Sequence, residues 1–521
     1  MAMEMSNLNA AAAGSRDEVT EDQISCTLEV RPDAVEAGSN SHSTQCTFRE
    51  VDGHKIVQWA PDDPECPFNW SLSKKCWVVG INCLQIIWTA MLSAIYASAV
   101  SGVARDLHVS TIVARIPQAT FLLGFSVGPV IFTPLAEDYG RKPVYTVCIV
   151  VLYVLQIPQA LTHSIAELIV LRFISGCFAS PLLNGVATIP DLFTEDDPRQ
   201  GYAVNVWAHC AEIIYLATLI GGYINAALGW RWIFWISAIV GGSLAVPYIL
   251  FVPETRSGAL LAARARRLRK ETGDQSIRAL SELQRRTWRD ILVESLIRPV
   301  KMLFTEPAVL LFGFWDGLSY GLVFVLFQAF PPIYALHGFD ETKSGLLFIA
   351  PYIGVWIAMF CYPLQLRAEE RAMIKRGEKD PEASLKWGLV AAVMFPVAMW
   401  WFAWTIQPSI PWVVSIIANM ILGFTGHIIF IVASVYVIEG YGVYASSAVS
   451  GQSFLREAMS ASLSVVGATF YEKVGHSQAS SILAVIATLM MPMPFVFYKY
   501  GKQIRLKSSF LQELLRNKKD E

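Results

Sequence analysis

Gly128-Pro129-Val130-Ile131-Phe132-Thr133-Pro134-Leu135-Ala136-Glu137-Asp138-Tyr139-Gly140-Arg141-Lys142-Pro143 is a short charged turn between two long apolar runs. The runs, near 112–133 and 143–162, match the ~20 residues that cross a hydrocarbon core at ~1.5 Å per residue. Lipid offers no hydrogen-bond partner, so each run must be a helix that satisfies its own backbone. The same unit recurs outward in both directions. Candidate spans lie near 76–100, 112–133, 143–162, 165–190, 203–227 and 232–252, then near 304–330, 342–364, 386–406, 411–437, 443–470 and 478–500. The grouping is six, a polar linker, and six.

Composition agrees with a lipid solvent. Of 521 residues, 54% are hydrophobic and 16% charged, and the mean hydropathy is +0.42. Soluble domains carry nearer ~25% charge, and a soluble core this large tends to split. The net charge of −2 says little, because charge is segregated. Cations fill every second gap: Arg141 and Lys142; then Arg264, Arg266, Arg267, Arg269, Lys270, Arg285, Arg286 and Arg289; then Arg367, Arg371, Lys375, Arg376 and Lys379; then Lys499, Lys502, Arg505 and Lys507. The alternate gaps offer little beyond Arg105, Arg115, Lys343 and Lys473. The positive-inside rule puts the basic gaps and both termini in the cytosol.

The expected fold is therefore an all-α integral membrane protein of 12 transmembrane helices in two six-helix halves, with cytosolic N- and C-termini. Its parts are a largely disordered cytosolic N-terminal tail (1–70), an N-terminal six-helix bundle (71–252), a basic cytosolic linker (253–303), a C-terminal six-helix bundle (304–500) and a cytosolic C-terminal tail (501–521). Residues 1–50 are polar and lack an apolar signal region, so the first span would serve as an uncleaved membrane signal. The sequon Asn69-Trp70-Ser71 lies on the cytosolic side and is expected to stay unglycosylated. The basic linker reads as a surface tether near anionic lipid, not as a nucleic-acid site. The nine cysteines show no CxxC or Cys/His metal spacing, so no metal is expected and they read as small hydrophobes.

The charged turn has a further reading. Gly140 permits a sharp turn, and Glu137 and Arg141 can pair with each other or with helix ends. Glu137, Asp138, Gly140, Arg141 and Lys142 are thus candidates for a conformational latch, made in one state and broken in another. Other pieces stand beside it: Leu171-Arg172-Phe173-Ile174-Ser175-Gly176 in span four, Pro61-Asp62-Asp63-Pro64-Glu65 before Asn69-Trp70-Ser71, Val252-Pro253-Glu254-Thr255 after span six, Arg298-Pro299 with Thr305-Glu306-Pro307 before span seven, and Pro494-Phe495-Val496-Phe497-Tyr498-Lys499-Tyr500-Gly501 closing span twelve.

Together these resemble the major facilitator superfamily over roughly 57–507, and within it the fungal twelve-span drug:proton antiporter group, the polyamine and multidrug transporter branch. The resemblance implies two halves rocking around a central site, with the proton gradient as energy source and no cofactor. One segment departs. Related antiporters end span five with Gly-Pro-x-x-Gly-Gly, whereas Glu212-Ile213-Ile214-Tyr215-Leu216-Ala217-Thr218-Leu219-Ile220-Gly221-Gly222 keeps only the final glycine pair.

Charge inside a span costs ~2.5–3.5 kcal/mol on insertion scales and marks function. Arg172, which matches the family pattern, shares a stripe with Gly176, Ser180 and Asn184 and is expected to face a cavity. Glu212 and Asp316 are the proton-carrier candidates, because a carboxylate in low dielectric binds its proton more tightly. Either could instead pair with Arg172 or cap a helix. Gln85, Tyr96, Asn184, Tyr320, Gln328 and His427 are candidates for lining a substrate cavity, with Trp88 and Trp315 as flat apolar walls. Arg456 and Glu457 read as a structural pair.

The resulting expectation is a proton-coupled efflux pump for small amphipathic organic compounds, such as secondary metabolites, toxins or drugs. The alternative is an uptake or exchange carrier for a defined solute such as a polyamine or organic acid, which the span-five departure favours. An enzyme is not expected, since no His-box, GxSxG or Walker pattern occurs. Expected partners are a small-molecule substrate, protons and the lipid bilayer, with no nucleic acid. A monomer in the plasma membrane is the expected state, and the vacuolar membrane is the second choice.

Overall fold

The computed structural model of the chain describes residues 47–51, 53–194, 197–283, 296–376, 381–441, 444–508, 510 and 512. Two strands open it, β1 (Thr47–Val51) and β2 (His54–Gln58). The first half follows: α1 (Leu72–Ala94), a 3-10 segment (Ile95–Ala99) and α2 (Val100–Asp106); α3 (Thr111–Tyr139); α4 (Arg141–Val154) with α5 (Gln156–Leu161); and α6 (Ile165–Leu183). Span five is α7 (Pro198–Ala211), a 3-10 turn (Glu212–Leu216) and α8 (Ala217–Leu228), and span six is α9 (Arg231–Phe251). Starts carry capping oxygens where the sequence supplies them. Ser71 accepts from the Lys74 N–H and Ser110 from the Val113 N–H, each satisfying a donor that the helix itself leaves open.

The linker holds α10 (Ser257–Thr272), β3 (Ile277–Arg278) and α11 (Leu280–Leu283). The second half runs α12 (Arg298–Thr305), α13 (Pro307–Ala335), α14 (Glu341–Ser344) with a 3-10 segment (Gly345–Phe348), α15 (Ile349–Arg376), α16 (Pro381–Thr405), α17 (Trp412–Tyr441), α18 (Ala445–Val474), α19 (His476–Met490) and α20 (Pro492–Leu506). Among the described residues, 11 helical units are long and apolar enough to cross a membrane. The further long helix, α18, carries Arg456, Glu457, Glu472, Lys473 and many serines, which lower its apolarity. It packs between α3 and α13, so protein solvates its polar groups. Large apolar side chains such as Val154, Leu250, Phe360 and Leu489 stay outward-facing, as a lipid solvent permits.

The two halves share a packing device. A Cβ on Gly176 would strike the Phe121 carbonyl, and one on Gly423 would strike the Pro351 carbonyl. Spans two and four, and likewise spans eight and ten, therefore approach to backbone contact, as small residues allow in lipid. The long contact of α3 with α18 joins the halves.

The end of the expected N-terminal tail carries regular structure. Residues 1–46 lie outside the described residues, whereas 47–51 and 53–70 include two strands and a 3-10 turn (Pro67–Asn69). β1 and β2 pair antiparallel, and β2 pairs parallel with β3 of the linker. Val57, Ala265, Ile277 and Ala279 bury one another beneath the sheet. Asp63 pairs with Arg264, both buried, and Arg267 donates to Glu65 at 3.2 Å. The Pro-Asp-Asp-Pro-Glu segment thus clamps the linker helix. Its partners lie some 200 residues away, so local polarity alone reads as disorder. The Ser276 hydroxyl, then Lys55, hold the Asp274 carboxyl well below the usual carboxylate range. That contact is present at neutral pH and is lost as pH falls through the lowered value. Arg285, Arg286, Arg289 and Lys379 lie outside the described residues, as does most of the 501–521 tail.

Arg264→Ala would leave the Asp63 carboxylate buried without its partner, a loss of about 3–5 kcal/mol for such pairs. Amides 54–58 should then lose hydrogen-exchange protection in the purified protein. Unchanged protection would reject the clamp.

Candidate functional site

The charged turn ends α3 at Gly140, whose φ of +101° disfavours any side chain. A Cβ there would also meet the Glu254 carboxylate. That carboxylate sits over the start of α4 and accepts the backbone N–H of Arg141 and Lys142, each at 3.0 Å, and those of Thr255 and Arg256, each at 2.9 Å. Helix N-termini favour negative charge for this reason. The buried Arg141 guanidinium reaches Asp191, which also accepts from Thr255 at 3.2 Å and lies 3.7 Å from Arg256. Arg141 therefore engages the segment after span four, and Glu254 closes the turn from beyond span six. Lys142 contributes its backbone N–H here, and Asp138 is exposed. Asp191 was not anticipated, because its partner lies 50 residues upstream.

The interior polar groups gather where the halves meet. The 3-10 turn of span five presents Glu212, and 3-10 geometry inside a helix commonly marks a hinge. Glu212 Oε2 lies 2.9 Å from Nδ1 of His427 on α17. His427 Nε2 lies 3.3 Å from Asn205 Oδ1, and Asn205 Nδ2 donates to the Met359 carbonyl on α15 at 3.1 Å. His209 meets the Tyr352 hydroxyl at 3.3 Å and the Trp356 ring edge-on. Asn205, His209 and Glu212 are spaced four and three apart, so one helical stripe faces the second half. That spacing was the available signal for Asn205.

Within the second half, Arg456 pairs with Asp316 at 3.3 Å and Glu457 at 3.1 Å. Its guanidinium also lies over the rings of Tyr320 and Phe430. Glu212 and Asp316 therefore have different partners, and neither partner is Arg172. The expected Arg456–Glu457 pair is present with Asp316 as its third member. Toward the end opposite the basic turn, Arg115 crosses to Glu472 at 3.4 Å and Thr469 at 3.3 Å. Gln328 donates to Gln118 at 3.2 Å, also between halves.

Several expected cavity residues pack elsewhere. Arg172 is fully buried and donates to the Leu92 carbonyl at 3.2 and 3.3 Å and to the Pro117 carbonyl at 3.4 Å, beneath the Phe121 and Tyr96 rings. Leu92 lies just before the Ile95–Ala99 3-10 segment, where the regular ladder is interrupted. Its stripe mate Gly176 presses on span two, so this face binds helices together instead of opening to a cavity. Tyr96 donates to the Ala114 carbonyl at 2.8 Å. Gln85 ties the Leu244 carbonyl to the Tyr153 hydroxyl. Trp315 lies in the core against Phe312. The Asn184 side chain is outside the described residues. A cavity of 70 Å³ does lie between α3, α12 and α18, bordered by Ser126, Val130, Leu303, Ser450 and Phe454. That is far below the ~300–1,000 Å³ of drug-sized sites.

Asp191→Ala would strand the buried Arg141 guanidinium. A loss of about 3–5 kcal/mol is expected, read as a lower unfolding temperature of the detergent-solubilised protein. A change under about 1 kcal/mol would reject the Arg141–Asp191 pair as a stabilising contact.

Comparison with known proteins follows the same lines. The family profile described as Major Facilitator Superfamily matches residues 83–465. The uncharacterized transporter mfs2 of Schizosaccharomyces pombe is 34% identical over 460 residues, covering 86% of this chain and 83% of that protein. The MFS-type efflux pump MFS2 of Trichophyton rubrum is 32% identical over 470 residues, covering 88% and 78%. The citrinin biosynthesis cluster MFS transporter mrr1 of Monascus ruber is 31% identical over 465 residues, covering 87% and 92%. Among solved structures, the human organic anion transporter MFSD10 (TETRAN) shares the fold, with a TM-score of 0.51 and 16% identity over 83% of this chain and 99% of that one. Membrane-length helices in two halves, the charged turn after span two and these likenesses converge: the chain belongs to the Major Facilitator Superfamily and is a multi-pass membrane transporter.

Proposed function

We propose that this transporter is a proton-driven exporter of small amphipathic organic compounds, working by alternating access as a monomer of twelve spans with α18 as the eleventh. Both termini and the basic gaps face the cytosol, and the plasma membrane is its location, with the vacuolar membrane second. The proton gradient supplies the energy, and no cofactor or catalytic step is involved. The observation that carries this reading is the placement of two interior carboxylates. Glu212 lies at the contact between halves, and Asp316 lies in the Asp316–Arg456–Glu457 cluster of the second half. A carboxylate there can change its charge as the halves separate and water enters. The aromatic faces of Tyr320, Phe430, Tyr352 and Trp356 beside these groups suit flat or cationic guests. Relatives named as an efflux pump and as transporters of metabolite clusters support export.

A second reading has its own observation. Span five lacks the Gly-Pro pattern of related antiporters and turns through 3-10 geometry at Glu212–Leu216. A carrier taking up or exchanging one defined solute, a polyamine or an organic acid, would also use this site.

Disrupting the gene separates the two. Retention of metabolites inside the cell supports export, whereas failure to accumulate an external solute supports uptake. Asp316→Asn keeps the shape and the Arg456–Glu457 pair. In reconstituted vesicles it should bring transport driven by an imposed pH difference close to background. Wild-type pH dependence in that variant would remove Asp316 from the proton path.

A further inference from the structure

Hydrogen-bond parity across the halves carries an inference beyond the general one. Asn205 Nδ2 donates to the Met359 carbonyl at 3.1 Å, which directs Oδ1 at His427. An amide oxygen has no proton, so His427 Nε2 must carry one to bond at 3.3 Å. Nδ1 then faces Glu212 Oε2 at 2.9 Å. A neutral imidazole with its proton on Nε2 offers only a lone pair at Nδ1, and an ionised carboxylate offers only lone pairs. The 2.9 Å contact therefore requires one further proton between His427 and Glu212.

We propose that this shared proton is the lock that holds span five of the first half against spans eight and ten of the second, so that the conformation described is the proton-loaded one. The proposal rests on the proton-coupled reading above and assigns its proton to a pair of residues on opposite halves. Loading places one H⁺ from solvent on the pair, and unloading returns one H⁺ to solvent, with no other bond made or broken chemically. After unloading, three links cannot all persist. If His427 keeps its Nε2 proton, lone pairs meet at Glu212. If the proton moves to Nδ1, lone pairs meet at Asn205. If Asn205 flips, its bond to Met359 is lost. Each outcome removes a link between the halves, and a buried polar group left facing a like group is costly.

The surroundings leave the proton in control. Asp316 and Tyr320 on α13 and Tyr352 on α15 lie within electrostatic reach of Glu212, as does Tyr215 of its own 3-10 turn, and His209 lies within reach of His427. Arg456 on adjoining α18 is engaged by Asp316 and Glu457. The lock lies on the basic-turn half of span five, where Gly201 also sits close to Leu366 of α15. Proton loss therefore loosens spans five and eight toward the basic, cytosolic end, as an exporter collecting its cargo from the cytosol requires.

Hydrogen exchange of the purified full-length protein in lipid nanodiscs tests this without a substrate. After correction for intrinsic rates, peptides covering 198–216 and 352–366 should exchange roughly tenfold faster once the pair is deprotonated at high pH. Glu212→Gln supplies an amide N–H to Nδ1 without the extra proton, so it should stay protected at every pH. Asn205→Leu retains both titratable groups but frees His427 to place its proton on Nδ1, so protection should again cease to follow pH. Wild-type exchange that ignores pH, or an Asn205→Leu protein that still follows it, overturns the lock. If Asn205→Leu is not monodisperse, the wild-type titration and Glu212→Gln decide: pH-dependent loosening that survives in Glu212→Gln is also fatal. Vesicle transport separates the two readings. Pairing pH-following exchange with no gradient-driven transport would sink coupled export and leave the lock standing, and the reverse would sink the lock alone.

Discussion

A bilayer leaves an interior charge no solvent but the protein, and the arrangement of this chain follows from that constraint. Arg172 settles among two carbonyls and two rings. Arg456 settles between two carboxylates. Arg141 takes Asp191, and Glu254 takes four backbone N–H groups. Each charge is tied to an element distant in sequence, so charge satisfaction and tertiary packing are one problem here.

These ties divide into two kinds. Those of Arg172, Gln85 and Tyr96 stay within the first half, and that of Arg456 stays within the second. They give each half its rigidity, together with the glycine crossings of spans two with four and eight with ten. Those of Arg115, Gln328, Asn205 and Glu212 cross between halves. These cross-half ties are all polar. Close packing also crosses the seam: α3 runs along α18, and a Cβ on Gly345 would strike the Leu219 backbone of span five.

The clamp at the N-terminal side belongs to the same pattern. Asp63 and Arg264 draw a polar segment onto the linker helix, whose Ala259 lies beside Gly140 of the charged turn. The tail, linker and turn form one connected surface at the basic end, where Glu254 and Asp191 tie the first half to the start of the linker.

The sequence by itself determined the solvent and the helices, because apolar length is a local property that lipid reads segment by segment. It also marked the charged turn and named Glu212, Asp316 and His427 as unusual, since an ionisable group in a span stands out on cost alone. Only the tertiary structure decided who meets whom. Arg172 shares a stripe with small residues, and nothing local distinguishes a cavity wall from a helix contact. Asn205 shares a stripe with His209 and Glu212, but nothing local names its partner, a His 222 residues away, and Asp191 carries no signal until an Arg 50 residues away is brought to it. The residues 47–70 read as tail because their strand partner and their arginine lie beyond the whole first bundle. Periodicity and composition report how a segment meets its solvent, whereas pairing depends on the closure of long loops, which only the folded chain supplies.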